Sequence, residues 1–169
     1  MFEILDPTCT PERATEFSSC VDLFAREDVI IVAGCTEIVP LGVKIDRTFI
    51  YDMFSSHDGD TNMFLKSHCL ELKGRSSLPI KKGLIVANGV GEIDLDYPGE
   101  LGILLHNPIV DMVSNPMGTL PLGKDKVPHC HIKKGDKIAQ IKLVEHKSYL
   151  MGYESDTVRD GGFGSSDKK

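Results

Sequence analysis

Apolar and polar positions alternate along this chain in short runs, and Gly, Pro, Asn and Asp separate the runs. Period-two alternation between turn residues marks half-buried strands of a sandwich or barrel; a sustained 3.6-residue period is scarce. The pattern predicts strands over Phe2–Leu5, Val21–Phe24, Val29–Val32, Thr36–Lys44, Met63–Leu72, Leu84–Ala87, Glu100–His106 and Lys137–Glu145. Turns are predicted at Asp6-Pro7, Ala33-Gly34, Lys82-Gly83 and Gly135-Asp136. One short helix is predicted over Pro11–Phe17, with Thr10 as N-cap and Pro11 in the first position, where its missing N–H does no harm.

Two stretches interrupt the alternation and are read as insertions, near residues 52–64 and 107–129. Ser55–Asn62 is polar and rich in Gly and Asp, and Asn107–Pro128 carries four of the nine prolines. Loops of that length in a compact domain are usually functional or mobile. From residue 155 the chain is Gly- and Ser-rich with one large apolar residue, Phe163. Residues 1–154 are therefore expected to form one β-domain and residues 155–169 a flexible C-terminal arm that cannot fold alone.

Composition narrows the class. The 169 residues suit a single domain, with 41% hydrophobic and 26% charged positions. No run approaches the roughly 20 apolar residues of a membrane span. The start of the chain has neither a basic region nor an apolar signal core, so a cytoplasmic location is expected, in a host cytoplasm if the source is viral. A net charge of -6 argues against a nucleic-acid partner, which calls for a basic face. Five cysteines without a CxxC pair are expected to be reduced thiols.

Candidate chemistry concentrates between Asn88 and Gly99, where a tight Asn-Gly-Val-Gly turn is followed by Asp94, Asp96 and Tyr97. Glycine and asparagine permit the turn, and the turn delivers carboxylates and a ring to one spot. Upstream, Gly74-Arg75-Ser76-Ser77-Leu78 offers a planar guanidinium and two hydroxyls suited to phosphate oxygens. Asp22 lies within an apolar strand, where an acid needs a partner. Gly135-Asp136-Lys137-Ile138-Ala139-Gln140 brings a neutral amide into another strand. His129-Cys130-His131, with His57, His68 and Cys69, would supply Zn²⁺ ligands if the two insertions met, since His129 and His131 share one face of a strand. Asp58–Asn62 begins like an EF-hand loop but has Met63 at the sixth position and Cys69 at the twelfth, which excludes it.

In order along the chain, Asp22, Gly74–Leu78, Asn88–Gly99, Gly135–Gln140 and Gly161-Gly162-Phe163-Gly164-Ser165-Ser166 closely resemble the five motifs of the trimeric deoxyuridine triphosphatase (dUTPase) family. The resemblance runs from about Ala14 to Ser166, with gaps at the insertions. It implies an all-β jelly-roll, or distorted β-barrel, assembled as a homotrimer with shared active sites. The implied reaction is Mg²⁺-dependent hydrolysis of dUTP to dUMP and pyrophosphate, by water attack on the α-phosphorus.

By the same resemblance Asp94 would orient and deprotonate the water, and Tyr97 would pack under the deoxyribose and exclude a 2′-hydroxyl. Asn88 and neighbouring backbone, Gly91 included, would bond the uracil edge. Arg75, Ser76, Ser77 and Gln140 would hold the phosphates, and Asp22 would bond a water on Mg²⁺. Phe163 would stack on uracil while Arg159, Gly164, Ser165 and Ser166 bind the γ-phosphate. The chain departs from the family pattern at Ser19-Cys20 before Asp22, at Glu92 where an apolar residue is usual, and in the short spacing from Arg159 to Phe163. The deaminase of dCTP shares the fold and an Arg-Ser-Ser motif, but it needs a glutamate at the far end of the strand that here ends in Leu105-His106-Asn107. A dUTP-binding regulator with little turnover is the other alternative.

Overall fold

In the computed structural model, which describes residues 1–55, 60–109 and 129–152, ten strands form three antiparallel sheets among the described residues. The strands are β1 (Phe2–Ile4), β2 (Val21–Phe24), β3 (Val29–Val32), β4 (Thr36–Ile45), β5 (His68–Gly74), β6 (Ile85–Val86), β7 (Gly91–Asp94), β8 (Glu100–His106), β9 (His129–Ile132) and β10 (Lys137–Glu145). One sheet has the order β1-β4-β8-β6, a second β2-β10-β5-β7, and β3 pairs with β9 in a ribbon. The all-β expectation is met, and β2, β3, β8 and β10 fall on the predicted spans.

The alternation in the sequence is the reason. In β8, Leu101, Ile103 and Leu105 are buried and the intervening positions are half-buried. Leu70 and Leu72 of β5 and Ile141 of β10 face the same core, joined by Leu23, Ile31, Leu41 and Ile132. Each such side chain stabilises the fold by roughly 1.5–3 kcal/mol relative to exposure.

The helical content corrects the sequence reading. Pro11–Phe17 is not helical: Glu12 exchanges backbone hydrogen bonds with Asp22 in an isolated β-bridge, which needs an extended chain. A 3₁₀ turn forms earlier, over Pro7–Cys9, capped by the Asp6 side chain at Thr8 N. Three α-helices occur instead among the described residues: α1 (Arg47–Ser55), α2 (Thr61–Ser67) and α3 (Ser77–Lys82). Asp46 accepts from Phe49 N and Asp60 from Met63 N, so α1 and α2 each begin directly after an aspartate cap. The predicted strand over Met63–Leu72 is thus helix up to Ser67 and strand only from His68. Its Met-Phe-Leu-Lys start suits either state, and the Asp60 cap selects the helix. Most of the second insertion, residues 110–128, lies outside the described residues, as do residues 153–169.

One irregularity bears on the site. Between Pro40 and Lys44 the β4–β8 register shifts, at Gly42, which has φ +65°. A methyl group there would lie 2.6 Å from Cys9 Cβ, so glycine is required by both conformation and space. Gly42 N donates to Glu100 Oε1 at 2.8 Å, and Arg26 Nη1 pairs with Glu100 Oε2 at 2.8 Å. That fixes the start of β8, beside which Tyr97 packs.

Candidate active site

The stretch from Asn88 to Gly99 folds as the edge strand β7 between two turns. Gly89, at φ +71°, donates to Val86 O at 3.1 Å and turns the chain out of β6. After β7, Tyr97 N donates to Asp94 O at 3.0 Å, and buried Leu95 anchors that second turn in the core. A cavity of about 300 Å³ opens between β7 and β8, lined by Asn88, Gly91, Glu92, Tyr97, Gly102 and Leu104 among others. The structure therefore places Asn88, Gly91 and Tyr97 around one cavity. Asp94 stands exposed at the end of β7, one step outside the lining.

Glu92 also lines the cavity. It is exposed, two residues before Asp94 on the same outward face of β7, and opposite Glu71 on β5. Glu71 is itself neutralised: Lys73 Nζ lies at 2.6 Å and Lys142 Nζ at 3.3 Å, which hold its carboxyl below the usual range. Opposite Asp94 sits Cys69. Burial pushes that thiol up, with the charges of Glu92 and Glu71 adding, so it stays protonated.

A second cluster forms at the other end of the same sheet. In register across β2 and β10, Asp22 lies beside Gln140. Arg75, just past β5, donates through Nε to Asp22 Oδ1 at 3.1 Å, and its backbone N donates to Ile138 O. Gln140 Nε2 reaches Gly74 O at 3.4 Å. Ser76 is exposed before α3 and Ser77 opens that helix. Asp22 is almost wholly buried, and its Oδ2 accepts no hydrogen bond among the described residues. Lys137 Nζ stands 3.9 Å from it and 2.8 Å from Glu12 Oε2.

Glu12 and Lys137 are members of this cluster that sequence reasoning does not single out. The predicted helix over Pro11–Phe17 hides the bridge that sets Glu12 beside Asp22, and Lys137 is visible only as part of a turn motif. A neighbouring pair, Lys82 Nζ to Asp136 Oδ2 at 2.8 Å, ties α3 to the turn before β10. Burial acts to raise the Asp136 carboxyl, but Lys82 and the Lys133 amide outweigh it and hold the pKa below the usual value.

Arg159, Phe163, Gly164, Ser165, Ser166 and His57 lie outside the described residues. The zinc expectation finds no support among the others. His129 and His131 lie on β9 against β3, with His131 3.5 Å from Asp28, while His68 and Cys69 begin β5 in another sheet. No group of three possible metal ligands occurs among the described residues.

No family model matches the chain. Sequence relatives are nonetheless extensive. A deoxyuridine 5′-triphosphate nucleotidohydrolase of Rickettsia massiliae is 32% identical over 162 residues, covering 92% of this chain and 86% of the relative. One from Rickettsia bellii is 30% identical over 163 residues, with 92% and 85% covered. Among solved structures, a dUTPase from Streptococcus mutans superposes with a TM-score of 0.61 at 24% identity, over 86% of this chain and 95% of its own. A point-mutant dUTPase from phage phi11 of S. aureus, described with a structural Mg(II) ion, gives 0.61 at 20% identity over 97% of each chain. The arrangement of sheets is thus the jelly-roll-like fold of these proteins.

Proposed function

This chain belongs to the dUTPase family, and on that premise we infer that it is a dUTP diphosphatase, hydrolysing dUTP to dUMP and pyrophosphate. The observation that carries the residue assignment is the cavity between β7 and β8, which holds Asn88, Gly91 and Tyr97 with Asp94 at its edge. Asn88 and the backbone beside it bond the uracil edge. A site built for those bonds rejects bases that leave its polar groups unpaired. Tyr97 packs under the deoxyribose and leaves no room for a 2′-hydroxyl.

Asp94 accepts a hydrogen bond from the attacking water. As the water oxygen bonds to the α-phosphorus, the bridging P–O bond breaks, pyrophosphate leaves, and the water's proton passes to the Asp94 carboxylate. Arg75, Ser76, Ser77 and Gln140 grip the phosphates, Ser76 near the bridging oxygen where negative charge develops. Supplied by the segment 155–169, Phe163 stacks on the base, and Arg159, Gly164, Ser165 and Ser166 hold the γ-phosphate.

Magnesium fits the phosphate end. Among the described residues the buried Asp22 Oδ2 has an unused acceptor position, and Asp22 would take a hydrogen bond from a water on the ion. Bound there, Mg²⁺ supplies charge neutralisation for the phosphates.

The spacing on β5 supports a shared site. Asp94 pairs with Cys69, and Arg75 lies six residues further along. At about 3.3 Å per residue that separation is about 20 Å. One α-phosphate does not reach both groups of a single chain. We therefore assign Asp94 and the nucleoside pocket of one site to one copy and Arg75 with Gln140 to another, in a homotrimer. The five thiols are all unpaired, which suits the reducing cytoplasm in which we place the enzyme. Among the described residues, no helix is long and apolar enough to cross a membrane.

Pyrophosphate release, compared across dUTP, dCTP, dTTP and UTP, tests the reading. Release from dUTP alone is expected; binding of dUTP without release points to a regulator, and ammonia from dCTP to a deaminase. Either of those results overturns the assignment.

A further inference from the structure

The ring of Tyr97 lines the cavity, and a residue that does not line it, Gly99, touches the same ring. A methyl group on Gly99 would come within 2.5 Å of Tyr97 Oη, 2.7 Å of Cζ and 3.3 Å of Cε1. Favourable carbon contacts lie at roughly 3.5–4.0 Å, so the ring would have to move by about 1 Å. The backbone makes no such demand. Gly99 is not among the glycines with positive φ, whereas Gly89 in the same stretch is. Alanine at position 99 therefore meets no positive-φ strain, and the three atoms nearest its methyl all belong to the ring.

The ring's hydroxyl reaches the start of β8. Tyr97 Oη donates to Glu100 O at 3.4 Å, a long bond that by itself does not fix the ring. Glu100 is held firmly, by Arg26 and by Gly42 N at 2.8 Å each. Packing bounds the ring as well: the core lies on one side, the start of β8 at its tip, and the bare Cα of Gly99 against it.

We propose that Gly99 is a positioning residue for sugar selectivity: its lack of a side chain sets where the Tyr97 ring lies, and so how closely a 2′-deoxyribose fits over it. This rests on the assignment of Tyr97 to the sugar made above. The bare backbone at position 99 acts only through the ring and touches no part of the substrate.

The full chain is assayed with dUTP and UTP as wild type, Gly99→Ala, Tyr97→Phe, Tyr97→Ala and the Tyr97→Phe/Gly99→Ala double variant, each also unfolded in urea. Gly99→Ala is expected to raise KM for dUTP by about tenfold while kcat changes far less, the scale of one misplaced methylene in a fitted pocket. Preference for dUTP over UTP falls with it, because UTP has no fit to lose. Tyr97→Phe removes the atom nearest the added methyl. The double variant therefore recovers part of the loss, and the two substitutions are non-additive in KM and in urea. An unchanged KM and preference in Gly99→Ala, or strict additivity in both measurements, overturns the proposal. If Gly99→Ala does not fold, a folded double variant supports the ring contact and an unfolded one overturns it. Tyr97→Ala separates the two levels. Lost preference there with intact preference in Gly99→Ala sinks this proposal alone, and intact preference in Tyr97→Ala sinks the sugar assignment beneath it.

Discussion

The two ends of the β2-β10-β5-β7 sheet are built by opposite physics. At the β7 end the pocket is made of backbone, a carboxamide and a ring, closed by short-range turns and backed by the buried core. At the β2 end the groups are charges paired with one another, Glu12 with Lys137 and Arg75 with Asp22 Oδ1, while Asp22 Oδ2 accepts no hydrogen bond among the described residues. On the proposed assignment, those pairs would be rearranged when a triphosphate takes the Arg75 guanidinium. On the same assignment, shape at one end would supply discrimination, and exchangeable charge at the other would supply grip. Asp94 lies at the β7 end, so the carboxylate proposed to react is mounted with the pocket proposed to recognise the nucleoside.

The sharpest way to break that division is to remove the chemistry while leaving both ends intact. Asp94→Asn is expected to lower kcat by roughly 10²–10⁴ and leave KM for dUTP near its wild-type value, measured as pyrophosphate release. Near-normal turnover would refute the role. Arg75→Met comes next, because it leaves the buried Asp22 carboxylate without its partner. A loss of about 1–3 kcal/mol in urea unfolding is expected, together with a raised KM. Adding Asp22→Asn should restore the stability and not the KM. Recovery of both would mean that Arg75 serves the fold alone.

The β7 end is legible in the sequence and the β2 end only half so, for a physical reason. Asn88, Gly91, Asp94 and Tyr97 lie within ten residues, and local turn chemistry brings them together. Asp22, Arg75 and Gln140 meet through strand pairing between distant segments, which period-two alternation predicts in kind but not in register. Resemblance to the family names those three, but it does not reveal Glu12 or Lys137. The helices fail differently. Residues 63–66 satisfy a strand or a helix equally, and the deciding signals are the caps Asp46 and Asp60, which the alternation does not register. Glu92 is anomalous in the sequence. In the fold it points outward at the cavity mouth, where a carboxylate remains hydrated.

Salt separates the two ends without mutation. The screening length falls from about 10 Å at 0.1 M to about 3 Å at 1 M ionic strength, which weakens the partly exposed phosphate end and spares a pocket closed by shape and hydrogen bonds. KM for dUTP is expected to rise severalfold over that range, while binding of deoxyuridine, followed by calorimetry, changes little. Equal sensitivity of the two ligands would erase the contrast between the ends.

The smallest effect concerns what holds the charged end in place. Lys82 and Asp136 tie α3, which follows Arg75, to the turn that leads into Lys137. Asp136 has a folded pKa below its unfolded value, so the pair stabilises the protein at pH values above the ordinary carboxylate range. That stabilisation is lost as pH falls below about 3.9 and through the lowered folded value. Lys82 and Asp136 are each about 30% exposed, at 28% and 31%. Solvent screening therefore keeps the contribution under about 1 kcal/mol. Lys82→Met should lower the urea midpoint slightly at pH 7 and converge with wild type as the carboxyl protonates. A difference that persists unchanged into acid would assign the effect to packing of the lysine stem instead, and α3 would then be held in place without help from the charge.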